Sequence, residues 1–303
     1  MKRVVICVLC LLLMCGCTAQ KPQSTDLKPT VVATIFPLYD FARAVGGEYV
    51  NVKMLIKPGS EVHEYDPLPS DMAAVYDSDL FLYIGGESDK WVDSLLAGTN
   101  VNCLSFIDLA SDEHNREHHG HNHTDEHIWT SPEIAVSMIE NICQILIGID
   151  EKNTDFYTKN RDGYIEKINS AANEISAAVN DADNPFLLVA DRFPFEYFVE
   201  EYGIEYEAAF GGCAVSTDIS LKTMSRLTET IEKRRLKSVF CTELSNRNIA
   251  NALKNQLGVE IIELHSAHNV TLDDFKAGVT YADILHRNAK ALKRGLINEF
   301  DRG

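Results

Sequence analysis

Basic side chains are scarce in this chain. Lys and Arg number 28 against 45 Asp and Glu, a formal net charge of −17 over 303 residues. Such a balance disfavours nucleic acid and anionic membrane surfaces as partners and favours cations. Cysteine looks plentiful at 8, but Cys7, Cys10, Cys15 and Cys17 sit at the extreme N-terminus. The remaining Cys103, Cys143, Cys213 and Cys241 have no CxxC spacing, which argues against a thiolate zinc knuckle. Also absent are a His-Glu-x-x-His helix and a Gly-x-Ser-x-Gly turn, the marks of common zinc peptidases and serine hydrolases. Past the first residues no apolar run reads as a membrane-spanning helix, which needs about 20 residues.

What is present begins with a leader. Lys2 and Arg3 precede an apolar run at 4–14 and then Cys15-Gly16-Cys17, the order of a secretory signal peptide. Residues 14–17 resemble a bacterial lipobox, in which the last cysteine, here Cys17, is lipidated once residues 1–16 are removed. Residues 17–29 then form a polar lipidated tether. The mature chain is expected to be extracytoplasmic, lipid-anchored to the cell membrane and otherwise soluble. Disulfides are allowed there but not indicated by the spacing.

From residue 30 onward strands and helices alternate. Strands are predicted at 30–35, 50–56, 80–84 and 101–104, with helices at 37–45, 69–76 and 91–96. Ser131-Pro132-Glu133 supplies an N-cap and a first-turn proline for a helix running to about residue 147. Between 153 and 181 there is no proline and one glycine, Gly163. Tyr157, Tyr164, Ile168, Ala171, Ala172, Ile175 and Val179 recur there at helical spacing, which predicts one long helix of about 40 Å, or two joined at Gly163. The alternation then restarts, with strands at 186–189, 237–241 and 260–264 and helices at 195–202, 220–234, 249–257 and 281–296. The expected fold is α/β: two lobes with mostly parallel sheets, joined by one long connecting helix. The N-terminal lobe spans 30–150, the connecting helix 151–182 and the C-terminal lobe 183–303.

Six of ten histidines fall between Glu113 and His127, in an acidic run holding His114, His118, His119, His121, His123 and His127. Imidazoles interleaved with carboxylates point to a metal. A further histidine, His63, lies between a predicted strand and a helix, and His127 immediately precedes a helix. Open α/β sheets place ligands in such loops.

The segments His63-Glu64-Tyr65-Asp66-Pro67 and Asp125-Glu126-His127-Ile128-Trp129-Thr130-Ser131-Pro132 resemble the two histidine motifs of zinc- and manganese-specific solute-binding lipoproteins of metal ABC transporters. Lipobox, histidine-rich loop and long helix occur in the same order, and the resemblance covers roughly residues 30–296. It implies one metal held between two lobes. Two further ligands would come from the second lobe. Aligned on Tyr202-Gly203, the first falls on Arg192, which has no lone pair to give. The second falls on His265, which His268 could replace or assist. Glu243, after a predicted strand, would supply an oxygen or pair with Arg192; Cys213 is a weaker thiolate candidate. The expected ligands are therefore His63, His127 and His265, with Glu243 as a fourth. Three imidazoles and a carboxylate suit tetrahedral Zn²⁺, with Mn²⁺ as the alternative.

The implied function is capture of Zn²⁺ or Mn²⁺ for an ABC permease and its ATPase, by a monomer that is not an enzyme. The loop histidines would form an accessory metal site. A secreted zinc hydrolase using Glu64 as base, and a metal-binding adhesin or storage lipoprotein, are the rivals.

Overall fold

The computed structural model describes residues 28–62, 65–109, 125–212 and 220–296. His63, Glu64, Cys17, Cys213 and the loop residues His114, His118, His119, His121 and His123 lie outside them, as do the leader and most of the tether.

The first sheet is built from β1 (Thr30–Ala33), β2 (Asn51–Met54), β3 (Leu80–Tyr83) and β4 (Cys103–Ser105), in the order β2-β1-β3-β4. All its pairings are parallel, with Val31 opposite both Val52 and Leu80. Helices α1 (Phe36–Gly46), α2 (Pro69–Tyr76) and α3 (Lys90–Leu96) connect these strands, and α4 (Pro132–Ile149) follows. The second sheet repeats the scheme with β5 (Phe186–Val189), β6 (Glu205–Ala208), β7 (Ser238–Cys241) and β8 (Glu260–Glu263), in the order β6-β5-β7-β8 and again parallel. Its helices are α6 (Glu196–Tyr202), α7 (Leu221–Arg234), α8 (Asn248–Leu257), α9 (Leu272–Ala277) and α10 (Tyr281–Gly295).

Between the sheets runs α5 (Thr154–Asn180), a single helix of 27 residues. Gly163 does not break it: a Cβ there would meet nothing within 4 Å, so the glycine lies on an open face of an unbroken helix. Its inward face is Tyr157, Tyr164, Ile168, Ala171, Ile175, Ala178 and Val179, all buried. Each large side chain on this face stabilises the helix in place by about 1.5–3 kcal/mol.

Helix α4 is apolar enough, at mean hydropathy 1.4 over 18 residues, to cross a membrane by length and composition. That corrects the sequence expectation. The apolar positions have another use here, because Ile134, Met138, Ile139, Ile142 and Leu146 are buried in the protein's own core.

That core is shared. One cluster runs from Val31 and Phe41 through Ile139, Tyr164 and Ile168 to Leu187, Phe240 and Leu264, so the α5 side of both lobes packs as one body. Smaller clusters sit under the outer faces of each sheet. Lobes joined through a hydrophobic interior resist the wide hinge motion that is the default for loosely linked domains.

A polar node reinforces the seam. Asp40 of α1 is fully buried and accepts hydrogen bonds from the Tyr164 hydroxyl of α5 and from the Tyr281 amide at the start of α10 (2.8 Å). Arg43 Nη2 donates to its other oxygen at 2.6 Å. Burial pushes its pKa up, against the opposing effect of these partners. Asp40→Ala leaves two buried donors, the Tyr164 hydroxyl and the Tyr281 amide, and the partly exposed Arg43 without their acceptor. It should cost about 3–5 kcal/mol, read as a lower urea midpoint.

Candidate metal centre

The C-terminal ends of both sheets face a cleft of about 320 Å³ between the lobes. In the strand order of the second lobe, the connections from β5 and β7 diverge, which opens a crevice beyond their C-terminal ends. Arg192 lies just past β5, Glu243 just past β7, and His265 and His268 just past β8. From the first lobe come Glu61 and His127.

His127 is completely buried and held by its own neighbours. Its Nδ1 lies 2.8 Å from Asp125 Oδ1, and its backbone amide donates to the same oxygen at 2.7 Å. A carboxylate on Nδ1 keeps the proton there and leaves Nε2 as the metal-binding nitrogen, the outer-shell arrangement of most histidine–zinc sites. Burial opposes charge on this ring, but Asp125, through its charge and hydrogen bond, with Glu126 and Glu243, outweighs burial and raises the pKa. The same negative field attracts a metal cation. Immediately after His127, residues Ile128–Thr130 form a 3₁₀ turn, closed by the Thr130 hydroxyl on the His127 carbonyl. Ser131 then caps α4 by accepting from the Ile134 amide.

The second lobe grips this first-lobe segment along its length. Tyr197 donates to the Asp125 carbonyl (3.0 Å), Trp129 Nε1 to the Ser266 carbonyl (2.9 Å), Tyr281 to the Trp129 carbonyl (2.6 Å) and Ser131 to Glu201 (2.5 Å). The loop leading to His63 is held likewise: Gly59 donates to the Val270 carbonyl (2.8 Å), and Asn269 donates to the carbonyls of Lys57 and Ser60.

Gly212 closes against the same place. A Cβ on it would stand 2.8 Å from the Phe193 carbonyl oxygen and 3.0 Å from Asp125 Oδ2. Gly212→Ala should therefore displace the Asp125–His127 pair and lower zinc affinity about tenfold, the scale of outer-shell defects, in a zinc competition titration.

In the second lobe Glu243 is nearly buried and does not pair with Arg192. Its carboxylate accepts from the Ser266 amide (2.7 Å) and hydroxyl (2.5 Å), which ties the β7 and β8 loops together at the cleft wall. The two histidines that follow β8 diverge. His265 Nδ1 accepts from the Ala267 amide at 3.0 Å and lies 3.6 Å from Glu243, while its own amide and carbonyl bond the Asn288 side chain. That use of Nδ1 places the remaining ring proton on Nε2, and the ring is not part of the cleft lining. His268 is. It stands edge-on to His127, with ring centroids 5.1 Å apart, and packs on Trp129 at 4.8 Å. Ala267 has φ 61, a left-handed turn that sends the two side chains in different directions. His265 was the expected ligand of this loop, and it is His268 that lines the cleft beside His127.

Arg192 reaches across the cleft, its Nη1 3.3 Å from Glu61 Oε1. Asp191 beside it accepts from the Arg192 amide and the Thr242 hydroxyl, both at 2.9 Å. Among the described residues no three His, Cys, Asp or Glu side chains form a group able to hold a metal. His127, His268 and Glu243 line one cleft, and His63 lies outside the described residues.

Two parallel α/β lobes sharing a core, bridged by one helix and carrying histidines at the cleft, define a two-lobed solute-binding protein. The chain belongs to the family described as zinc-uptake complex component A, periplasmic, whose model matches residues 31–295. This family is a metal-binding component of uptake systems that work with an ABC permease, and it acts outside the cytoplasm. The zinc-binding lipoprotein AdcA of Streptococcus pneumoniae is 29% identical over 299 residues, which cover 94% of this chain and 59% of that protein. The chain therefore spans only part of the streptococcal relatives it matches. The high-affinity zinc uptake system protein ZnuA of Bacillus subtilis is 26% identical, with 95% of each chain covered. Among solved structures, the Zn(II)-bound ZnuA-like domain of Streptococcus pneumoniae AdcA superposes with a TM-score of 0.75 at 27% identity, covering 89% of this chain and 99% of that one. The periplasmic zinc-binding protein TroA of Treponema pallidum shares the fold, with a TM-score of 0.78 at 22% identity and 90% and 100% covered.

Proposed function

We propose that this protein captures Zn²⁺ in the cleft between its lobes and delivers it to an ABC permease, as a monomer anchored through lipid on Cys17. The observation that carries the reading is His127: a buried imidazole whose Nδ1 is committed to Asp125, in a cleft it shares with His268 and Glu243 of the opposite lobe. His63 and His127 supply ligands from the first lobe and His268 from the second, while Glu243, both of whose oxygens accept from Ser266, adds negative charge beside them and His265 buttresses it. Three imidazoles favour zinc over manganese, which prefers more oxygen. No enzymatic role is assigned, and Glu64, the base of the rival hydrolase reading, lies outside the described residues.

Capture involves limited closure, because the shared core and the cross-lobe bonds from Tyr197, Ser266, Tyr281 and Asn269 hold the lobes together. His114, His118, His119, His121 and His123 act as an accessory, weaker collecting site.

The test is zinc stoichiometry and affinity of the mature protein with and without residues 114–123. One tight equivalent should survive the deletion with affinity changed by less than about tenfold. Loss of that equivalent would place the main site in the loop and sink the cleft assignment.

A further inference from the structure

Arg192 is out of place in a pocket for a bare dication. It lies in the same wall as Glu243 and His268, and its side chain is only 20% exposed. An arginine keeps its charge at any working pH and presents five donors in a planar fork. Its described side-chain bond is the single contact from Nη1 to Glu61, long at 3.3 Å for a charged pair, and Glu61 is half exposed. Its Nε is buried and has no hydrogen-bond partner among the described residues. A buried donor left over on a cation is costly unless an acceptor arrives, and an anionic oxygen is the acceptor that fits it best.

The space agrees. A four-coordinate ion held only by side chains needs little free volume, whereas this cleft holds about 320 Å³. Around Arg192 it is lined by Thr242, Ser245 and Asn246, hydroxyl and amide groups suited to a polar guest. A zinc ion with an unfilled coordination position takes an oxygen donor from solution.

We propose that the cleft takes Zn²⁺ together with a small oxygen-donor anion, a carboxylate or a phosphate, which occupies the coordination position that Arg192 cannot fill and lies in the fork of its guanidinium. The anion neutralises the repulsion between Arg192 and the metal and satisfies the buried Nε. The cargo is then a metal–anion pair instead of the bare ion. This inference rests on the zinc-capture reading above.

Equilibrium dialysis tests it with radiolabelled citrate and, separately, radiolabelled inorganic phosphate. The samples are the zinc-free and zinc-loaded mature protein, Arg192→Met and Arg192→His. Zinc-loaded wild type should retain about one equivalent of at least one anion, the zinc-free protein none, and Arg192→Met should bind it about tenfold more weakly or worse. Arg192→His, with an imidazole in the vacant position, should hold zinc tightly and retain no anion. If the label tells citrate from phosphate, it identifies the source of the oxygen donor. Retention of neither anion by zinc-loaded wild type, or equal retention by Arg192→Met, overturns the proposal and leaves zinc capture standing. Failure of wild type to take up stoichiometric zinc with or without either anion overturns zinc capture itself.

Discussion

Replacing His127 by alanine should weaken zinc binding by about 10²–10³-fold. Apparent zinc-binding free energies of about 10–16 kcal/mol shared among four coordination positions allot each about 2.5–4 kcal/mol, and every 1.4 kcal/mol is tenfold in affinity. The loss should fall on affinity and not on the fold, because the segment around His127 stays anchored through Trp129, Ser131 and the Asp125 carbonyl. Competition against a chromophoric chelator measures it. An affinity within tenfold of wild type would mean that this buried imidazole is structural. The same residue sets a pH dependence. Its pKa is raised above the ordinary 6.5, so its contribution to the stability of the metal-free protein is fully present below about 6.5 and is lost as pH rises through the raised value. Zinc runs the opposite way, since it must displace that proton. Its affinity should fall steadily as pH drops through the raised value, and His127→Ala should flatten that slope.

The second large effect separates two histidines three residues apart. His268→Ala should cost about 10²-fold or more in zinc affinity, on the same per-ligand scale. His265→Ala should cost about tenfold or less in affinity, the effect of a buttress, with about 1–2 kcal/mol of stability lost as the Ala267 amide gives up its acceptor. Parallel zinc titrations and urea unfolding of the two variants read both quantities. The reverse pattern, with affinity lost in His265→Ala and kept in His268→Ala, would restore His265 as the ligand.

Why the sequence pointed to His265 first is a matter of one backbone angle. Spacing along a strand exit identifies the loop, but whether position 265 or 268 enters the cleft depends on the left-handed turn at Ala267, where alanine carries no composition cue. The long helix was legible because seven apolar positions kept helical phase across Gly163, and an open face tolerates that glycine. Strand β6 was not, since Glu205-Tyr206-Glu207-Ala208 is an edge strand with no fully buried residue and reads as polar. Helix α9, at six residues, is too short for its periodicity to show.

Within the site, the histidine motifs stood out by residue type, while the groups that orient them did not. Asp125 could have been found from the Asp-x-His spacing, which suits a carboxylate turning back onto Nδ1. Gly212 could not, because its requirement arises from the Phe193 carbonyl and Asp125, distant in sequence. The Arg192–Glu61 contact joins residues 131 positions apart, and only the meeting of the two lobes reveals it. The histidine-rich run was the loudest signal in the chain, and its last member, His127, the one among the described residues, lies in the cleft.

The most direct test of the central claim is anomalous diffraction at the zinc absorption edge from crystals of the protein loaded with one equivalent of Zn²⁺. The predicted result is a single strong peak between the lobes, about 2.0–2.1 Å from Nε2 of His127 and from a ring nitrogen of His268. A peak confined to the histidine-rich loop, or a cleft peak that His127 does not touch, would contradict it.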